Sequence, residues 1–198
     1  MKRFLLLTAF VLTCCFNSKA QEYVDLGLSV NWSAYNIGAK SAEEPGTLFI
    51  TGSNIEFISG QRMDLKDTPI PRHNSDYSGN PQLDTSTQIC GPEWRTPTYA
   101  EWHELITKCS WRFYKYRDAN GVERKGYEIT GPNGNKILLP CNWWATNNAV
   151  YQCSTPDGGT DKMNIMMFTP KKRYLQAWEF GKLHAFGLSY RPVTNKQQ

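Results

Sequence analysis

Trp94-Arg95-Thr96-Pro97-Thr98 opens the stretch on which the fold turns, and Gly131-Pro132-Asn133-Gly134-Asn135-Lys136-Ile137-Leu138-Leu139-Pro140 closes it. Thr98 and Glu101 have the spacing of a capping box, in which the hydroxyl takes the amide three residues on and the carboxylate reaches back. Pro97 disfavours helical backbone before it, so the helix starts at Thr98. Trp102, Leu105, Ile106 and Cys109 then recur at helical spacing and form one apolar stripe. A helix this short does not hold itself together in water. The stripe must cover something, and the strands that follow are its expected partner. Residues 111–116 alternate faces, Asn120-Gly121 is a favoured hairpin pair, 127–130 return, Asn133-Gly134 turn again, and 136–139 complete an antiparallel meander.

Outward from this stretch, the N-terminus reads as an export signal. Lys2 and Arg3 precede an apolar run, 4–16, that is too short to span a bilayer, and Ser18-Lys19-Ala20 supplies small residues at the cleavage positions. Residues 1–20 are therefore expected to be a signal peptide and 21–198 a single domain. Leu12-Thr13-Cys14-Cys15 is a poorer match to a lipoprotein box, with Cys14 or Cys15 as the lipidated residue. The formal charge of +4 includes Lys2, Arg3 and Lys19, so the mature chain carries about +1. Such a balance calls for neither nucleic acid nor an anionic membrane. Lys171-Lys172-Arg173 is read as a solvated turn. No other segment is long and apolar enough for a membrane helix. Cleavage leaves four cysteines, Cys90, Cys109, Cys141 and Cys153. An even set in an exported chain suggests two disulfides, with three pairings open.

The remaining chain gives weaker signals. Residues 23–26 and 30–35 read as two short strands, punctuated by Gly27 and Gly38. Residues 48–50 and 55–58 could form short strands, and 62–84, broken by Pro69, Pro71 and Pro81, reads as an irregular loop. Residues 141–159 read as a loop that holds Trp143, Trp144, Asn147, Asn148 and Tyr151. Residues 162–169 form a methionine-rich strand, and 174–180 with 183–191 suggest a closing hairpin about Gly181-Lys182.

Several of these segments resemble the FISUMP family, the major paralogous domain of exported bacterial proteins. Residues 23–39, from Tyr23-Val24-Asp25-Leu26-Gly27-Leu28 to Ile37-Gly38-Ala39, look like its opening. Trp94-Arg95-Thr96-Pro97-Thr98 with Glu101 and Leu105 resembles its central motif, and 126–140 the stretch that follows. Tyr151-Gln152-Cys153-Ser154-Thr155 and Gly187-Leu188-Ser189-Tyr190-Arg191-Pro192-Val193 resemble later segments, in the right order. The resemblance implies an exported or surface protein with a single α+β domain, antiparallel sheets and one or two helices, similar to the C-type lectin-like fold. It carries no catalytic residues across, and it places Arg191 and Trp94-Arg95 in the framework. Where the family commonly has a cysteine, this chain has Tyr35. Against that pattern, the expected bridges are Cys90 to Cys109 across the helix and Cys141 to Cys153 across the aromatic loop.

Enzyme signatures are absent from the sequence: His73, His103 and His184 are its histidines, and there is no HExxH, GxSxG or glycine-rich phosphate loop. Glu101 is already engaged as a cap, with Glu104 beside the stripe. Binding is the better reading. Trp143 and Trp144, with Asn142, Asn147, Asn148 and Tyr151, form a candidate carbohydrate platform, because flat aromatic faces stack on sugars and amides offer paired donors and acceptors. The same tryptophans could instead fill the core, and both readings stay open. Asp157-Gly158-Gly159-Thr160-Asp161, with Asn147 and Asn148, offers oxygen to calcium but lacks EF-hand spacing, so a polar turn is expected there, with no metal and no cofactor. The expected function is an exported or cell-surface, non-catalytic binding module whose partner is a glycan. The alternative is a structural or adhesin-like component that binds another surface protein.

Overall fold

The computed structural model describes residues 21–58, 75–142, 147–158, 162–179 and 186–197. In chain order the elements are β1 (Tyr23–Asp25), β2 (Val30–Ser33), α1 (Thr85–Cys90), α2 (Tyr99–Lys108), β3 (Ser110–Arg117), β4 (Glu123–Thr130), β5 (Lys136–Pro140), β6 (Ala149–Pro156), β7 (Lys162–Phe168), β8 (Arg173–Glu179) and β9 (Val193–Asn195). The strands form three antiparallel three-stranded sheets, ordered β1-β2-β9, β3-β4-β5 and β6-β7-β8. The expected α+β, C-type lectin-like class is thereby corrected. The described residues are mostly β, with 39% strand against 11% helix, and nothing marks them as lectin-like.

The central stretch behaves as its residues dictate. Thr98 caps α2, its hydroxyl accepting from the Glu101 amide at 3.3 Å while the Glu101 carboxylate accepts from the Thr98 amide at 2.8 Å. The meander forms in register, with Trp111 opposite Ile129 and Ile129 opposite Ile137. The helix stripe, however, packs chiefly on the third sheet, over β6 and β8. Trp102 donates its indole N–H to the Gln152 carbonyl at 3.1 Å.

Three further readings are corrected. Residues 141–159 are not all loop, since 149–156 are β6. Helix α1 begins just past the expected irregular segment 62–84, capped by Asp84 at its end, where no element was expected. The 48–50 and 55–58 segments meet only at a Phe49–Glu56 bridge. Among the described residues the closing hairpin does not form: β8 pairs with β7, whereas Leu188 bridges to Phe49 and Ser189 to Tyr151. Its proposed tip, Gly181-Lys182, lies outside the described residues, as do the expected signal peptide with Cys14 and Cys15, His73 and His184. Among the described residues no helix is long and apolar enough to cross a membrane.

All three sheets contribute to one apolar cluster. Val30, Trp32 and Val193 come from the first, Tyr127, Ile129, Ile137 and Leu139 from the second, and Tyr151, Met166 and Phe168 from the third, with Trp102 and Leu105 from α2. Most of its aromatic pairs meet tilted or edge-on, Trp32 with Trp102 and Tyr127 with Phe168 both at 4.8 Å between centroids, an arrangement that suits their quadrupoles. The first two sheets are clasped at the β4–β5 turn. Asn133 and Asn135 each donate a side-chain N–H to the Asp25 carbonyl at 2.8 Å. A side chain at Gly131 would place its Cβ 2.1 Å from the Leu26 carbonyl oxygen, so only glycine permits this approach.

Arg191 lies fully buried where the sheets converge. It donates to Asn36 Oδ1 at 2.8 Å, to the Ser33 carbonyl at 3.0 Å and to the Leu138 carbonyl at 2.6 Å. Replacing it by methionine keeps most of the volume but strips three buried acceptors of their donor, at a cost of about 3 kcal/mol or more. Arg191→Lys is expected to recover only part of that loss, because the ammonium lacks the planar fork. Urea denaturation midpoints of both variants check the order.

Candidate functional site

The segment proposed from sequence divides into tethers, core and undescribed residues. Asn142 spends its whole side-chain amide on Val150, accepting from its backbone N–H at 2.8 Å and donating to its carbonyl at 2.7 Å. It acts as an added rung that draws the start of the loop onto β6. The Asn147 carbonyl accepts from the Tyr127 hydroxyl at 2.9 Å. The Asn147 and Asn148 residues are half-buried. Tyr151 is corrected outright as a surface contact. It is fully buried, its ring stacks on Phe168 at 5.6 Å, and its hydroxyl donates to the Pro140 carbonyl at 3.0 Å while accepting from the Asn36 amide at 3.1 Å. Burial pushes its phenol up to about 12. Trp143 and Trp144 lie outside the described residues, as do Gly159, Thr160 and Asp161 of the candidate calcium run. Among the described residues no three His, Cys, Asp or Glu side chains are grouped to hold a metal.

Cys90, Cys109, Cys141 and Cys153 are free thiols, and the two expected bridges are not formed. Cys90 packs with Ile37, Phe49 and Tyr190, whereas Cys109 caps the far end of α2 against the main core, so the first pair belongs to separate clusters. Cys141 ends up beside the main cluster and Cys153 within it, each as an apolar filler. Burial raises Cys90, Cys141 and Cys153 to about 12 and Cys109 to about 11. None is poised as a thiolate nucleophile. Other acid–base candidates also have structural partners. His103 is exposed and stacks on Tyr99 at 6.3 Å, and Glu101 grips Arg95 through two bonds of 2.9 and 2.5 Å.

Two concavities stand out among the described residues. One, of about 720 Å³, runs beside α2 and is lined by Ile106, Tyr174 and Leu175 with Lys171, Lys172 and Arg173. Arg173 stacks over the Trp111 ring at 5.3 Å, and Lys172 closes the turn between β7 and β8 by accepting from the Thr169 amide, so the basic run is a turn in this structure.

The other, of about 450 Å³, lies over the outer face of the first sheet, between that face and residues 92–95. Val30 and Trp32 point into the core, so the pleat turns Asn31 the other way. Register sets Asp25, Asn31 and Thr194 side by side across the three strands. Tyr23 stands at the mouth, 58% exposed, and Trp94 forms the opposite wall, 7% exposed. The wall is fixed because Arg95 exchanges two backbone bonds with Val193, of 3.0 and 2.9 Å, and donates to Asn195 Oδ1 at 2.9 Å. Lys196 holds Asp25 at 2.9 Å and lowers its pKa, chiefly by that hydrogen bond. The alternation of residues 30–33 was a sufficient signal to place Asn31 outward. Nothing local showed that residues 92–95 would cover it.

No family model matches this chain, and no curated protein or solved structure matches it either.

The thiols generate a pH prediction. Unfolded cysteines titrate near 8.5, below the folded values, so the folded state keeps protons that the unfolded state has released. The stability these groups contribute is complete below about pH 8.5 and is lost as pH rises through 11 to 12. Thermal melts should therefore fall steadily above pH 9. Mass spectrometry of residues 21–198, alkylated in urea without reductant, should show four modified thiols.

Proposed function

We propose that the mature chain is an exported or cell-surface, non-catalytic binding module whose ligand is carbohydrate, contacted by Trp143 and Trp144 with Asn147 and Asn148. The observation that carries this reading is the tethering of the described residues on either side of the tryptophans. Asn142 is bonded twice to Val150, and the Asn147 carbonyl is bonded to Tyr127. A short segment with fixed ends loses less conformational freedom on binding. Tryptophan faces and asparagine amides supply stacking and paired hydrogen bonds, the two requirements of sugar recognition. Asn142 then serves as a tether and Tyr151 as the floor beneath it, rather than as ligand contacts. Export is supported by the basic and apolar N-terminal run ending at Ser18-Lys19-Ala20, and by the resemblance to FISUMP proteins.

A second reading uses the same tryptophans as the centre of an interface with another surface protein, where such residues concentrate binding energy. A glycan array probed with the mature chain separates the two. Specific glycan binding, weakened at least tenfold in the Trp143→Ala and Trp144→Ala variants with melting temperature unchanged, supports the carbohydrate reading. An empty array, with a stable protein complex recovered from cell-surface extract and lost in the same variants, supports the interface.

A further inference from the structure

We infer that the free edge of β8 is a docking site for an extended acidic peptide of a partner protein, which adds to the third sheet as a fourth strand with its carboxylates against Lys171, Lys172 and Arg173. The site takes a different ligand class from the carbohydrate reading, shares none of its residues, and is tested separately from it.

Strand β8 is an outer strand of the β6-β7-β8 sheet, and the backbone bonds of its neighbours fix which of its residues face outward. On β6, the Val150 backbone bonds to Asn142 and the Gln152 amide donates to the Ser189 carbonyl, so both turn away from β7. Their register partners on β7, Met167 and Ile165, therefore bond to β8, at Tyr174 and Gln176. Arg173, Leu175 and Ala177 are left with amides and carbonyls that point outward. Among the described residues no backbone or side-chain group bonds to them. The β6 edge is thus closed by Asn142 and Ser189, and the β8 edge is open. Open edges are usually blunted by proline, charge or a bulge. From Tyr174 to Trp178 this one carries no proline, no charge and no shift of register.

The walls define the ligand. Residues 171–176 and Ile106 of α2 line the concavity of about 720 Å³, so a strand laid along β8 meets Ile106 and Leu175 as an apolar wall. None of the described residues that line it is acidic. Lys171, Lys172 and Arg173 are exposed, and among the described residues none has a carboxylate within reach, whereas Arg95, Lys108, Arg112 and Arg124 are each paired. Arg173 stacks over the Trp111 ring at 5.3 Å, which limits the freedom it has to lose on binding. Three adjacent unpaired cations complement an anionic partner. Glu179 ends β8 on the other side, so the acidic residues of the peptide belong at the turn. Saccharide stacking finds little here, because Tyr174 is half-buried with its hydroxyl bonded to Met167 Sδ at 3.2 Å. A row of open backbone groups is what an extended peptide recognises.

The test uses residues 21–198, labelled with 15N and titrated with a blocked octapeptide of three aspartates followed by alternating valine and threonine. The peptide is expected to shift the Leu175 and Ala177 backbone amides, and a counterpart with lysine in place of aspartate is expected not to bind. Peptides methylated at every second backbone nitrogen, made in both phases, keep the charge but block one set of backbone donors. At least one phase is expected to bind tenfold more weakly or worse. The double variant Lys171→Glu with Lys172→Glu is expected to weaken binding at least tenfold at unchanged melting temperature, because both side chains are exposed. Ala177→Pro removes an outward amide without taking a bond from β7, and is expected to weaken binding as much. The inference is overturned if the acidic peptide leaves those amides unmoved, if both methylated peptides bind as the parent peptide does, or if the charge-reversed variant binds undiminished. It is also overturned if hexagalacturonate moves the Lys171, Lys172 and Arg173 signals while the peptide does not. Peptide binding that is unchanged in Trp143→Ala and Trp144→Ala leaves the β8 edge standing whatever the glycan array shows.

Discussion

A buried guanidinium with no carboxylate beside it holds the three sheets of this protein together. Arg191 meets the carbonyl at the end of β2, the carbonyl of Leu138 in β5, and Asn36, whose amide in turn donates to the Tyr151 hydroxyl on β6. Burial lowers its pKa to about 10, so it remains a cation at neutral pH. Taking a charge out of water is costly unless fixed dipoles replace the lost hydration. Here two strand carbonyls and an amide oxygen do so. Lysine presents its charge at one point and does not span these three directions.

A second buried network positions the surface. Asp84 is wholly enclosed, and its carboxylate accepts from the amides of Gly79, Ser86 and Thr96 at 2.7, 2.9 and 2.8 Å, and from the Thr96 hydroxyl at 2.6 Å. Desolvation raises its pKa despite those bonds. Asp84 thus caps α1 and fixes Thr96 with one side chain. Residues 92–95 lie between these two anchors, and the Arg95–Glu101 pair joins them to the start of α2. The wall of the outer cleft is therefore a consequence of packing some distance from it.

The polar groups of these two networks are bonded, and the Asn31 carbonyl of the cleft is not. A scaffold so heavily cross-linked inside can tolerate an unsatisfied group buried beneath its surface. The tethers at Asn142 and Asn147 follow the same logic. Asn142 is bonded twice to Val150, and the Asn147 carbonyl accepts from Tyr127.

The sequence alone determined what depends on near neighbours. The Thr98–Glu101 box, the stripe from Trp102 to Cys109, the two turn pairs and the meander are all contacts between residues close in the chain, and alternation at 30–33 already turned Asn31 outward. Tertiary structure decided the rest, because it rests on contacts between distant residues. Strand β6 reads as loop since its Gln152 and Ser154 are polar. They are nevertheless buried, Gln152 bonded to Thr51 at 2.9 Å and Ser154 to Pro97 at 3.3 Å. Those partners, like the environments that keep the four cysteines apart and the enclosure of Tyr151, exist only once three sheets share one core. No local pattern encodes which buried polar group will find its mate a hundred residues away.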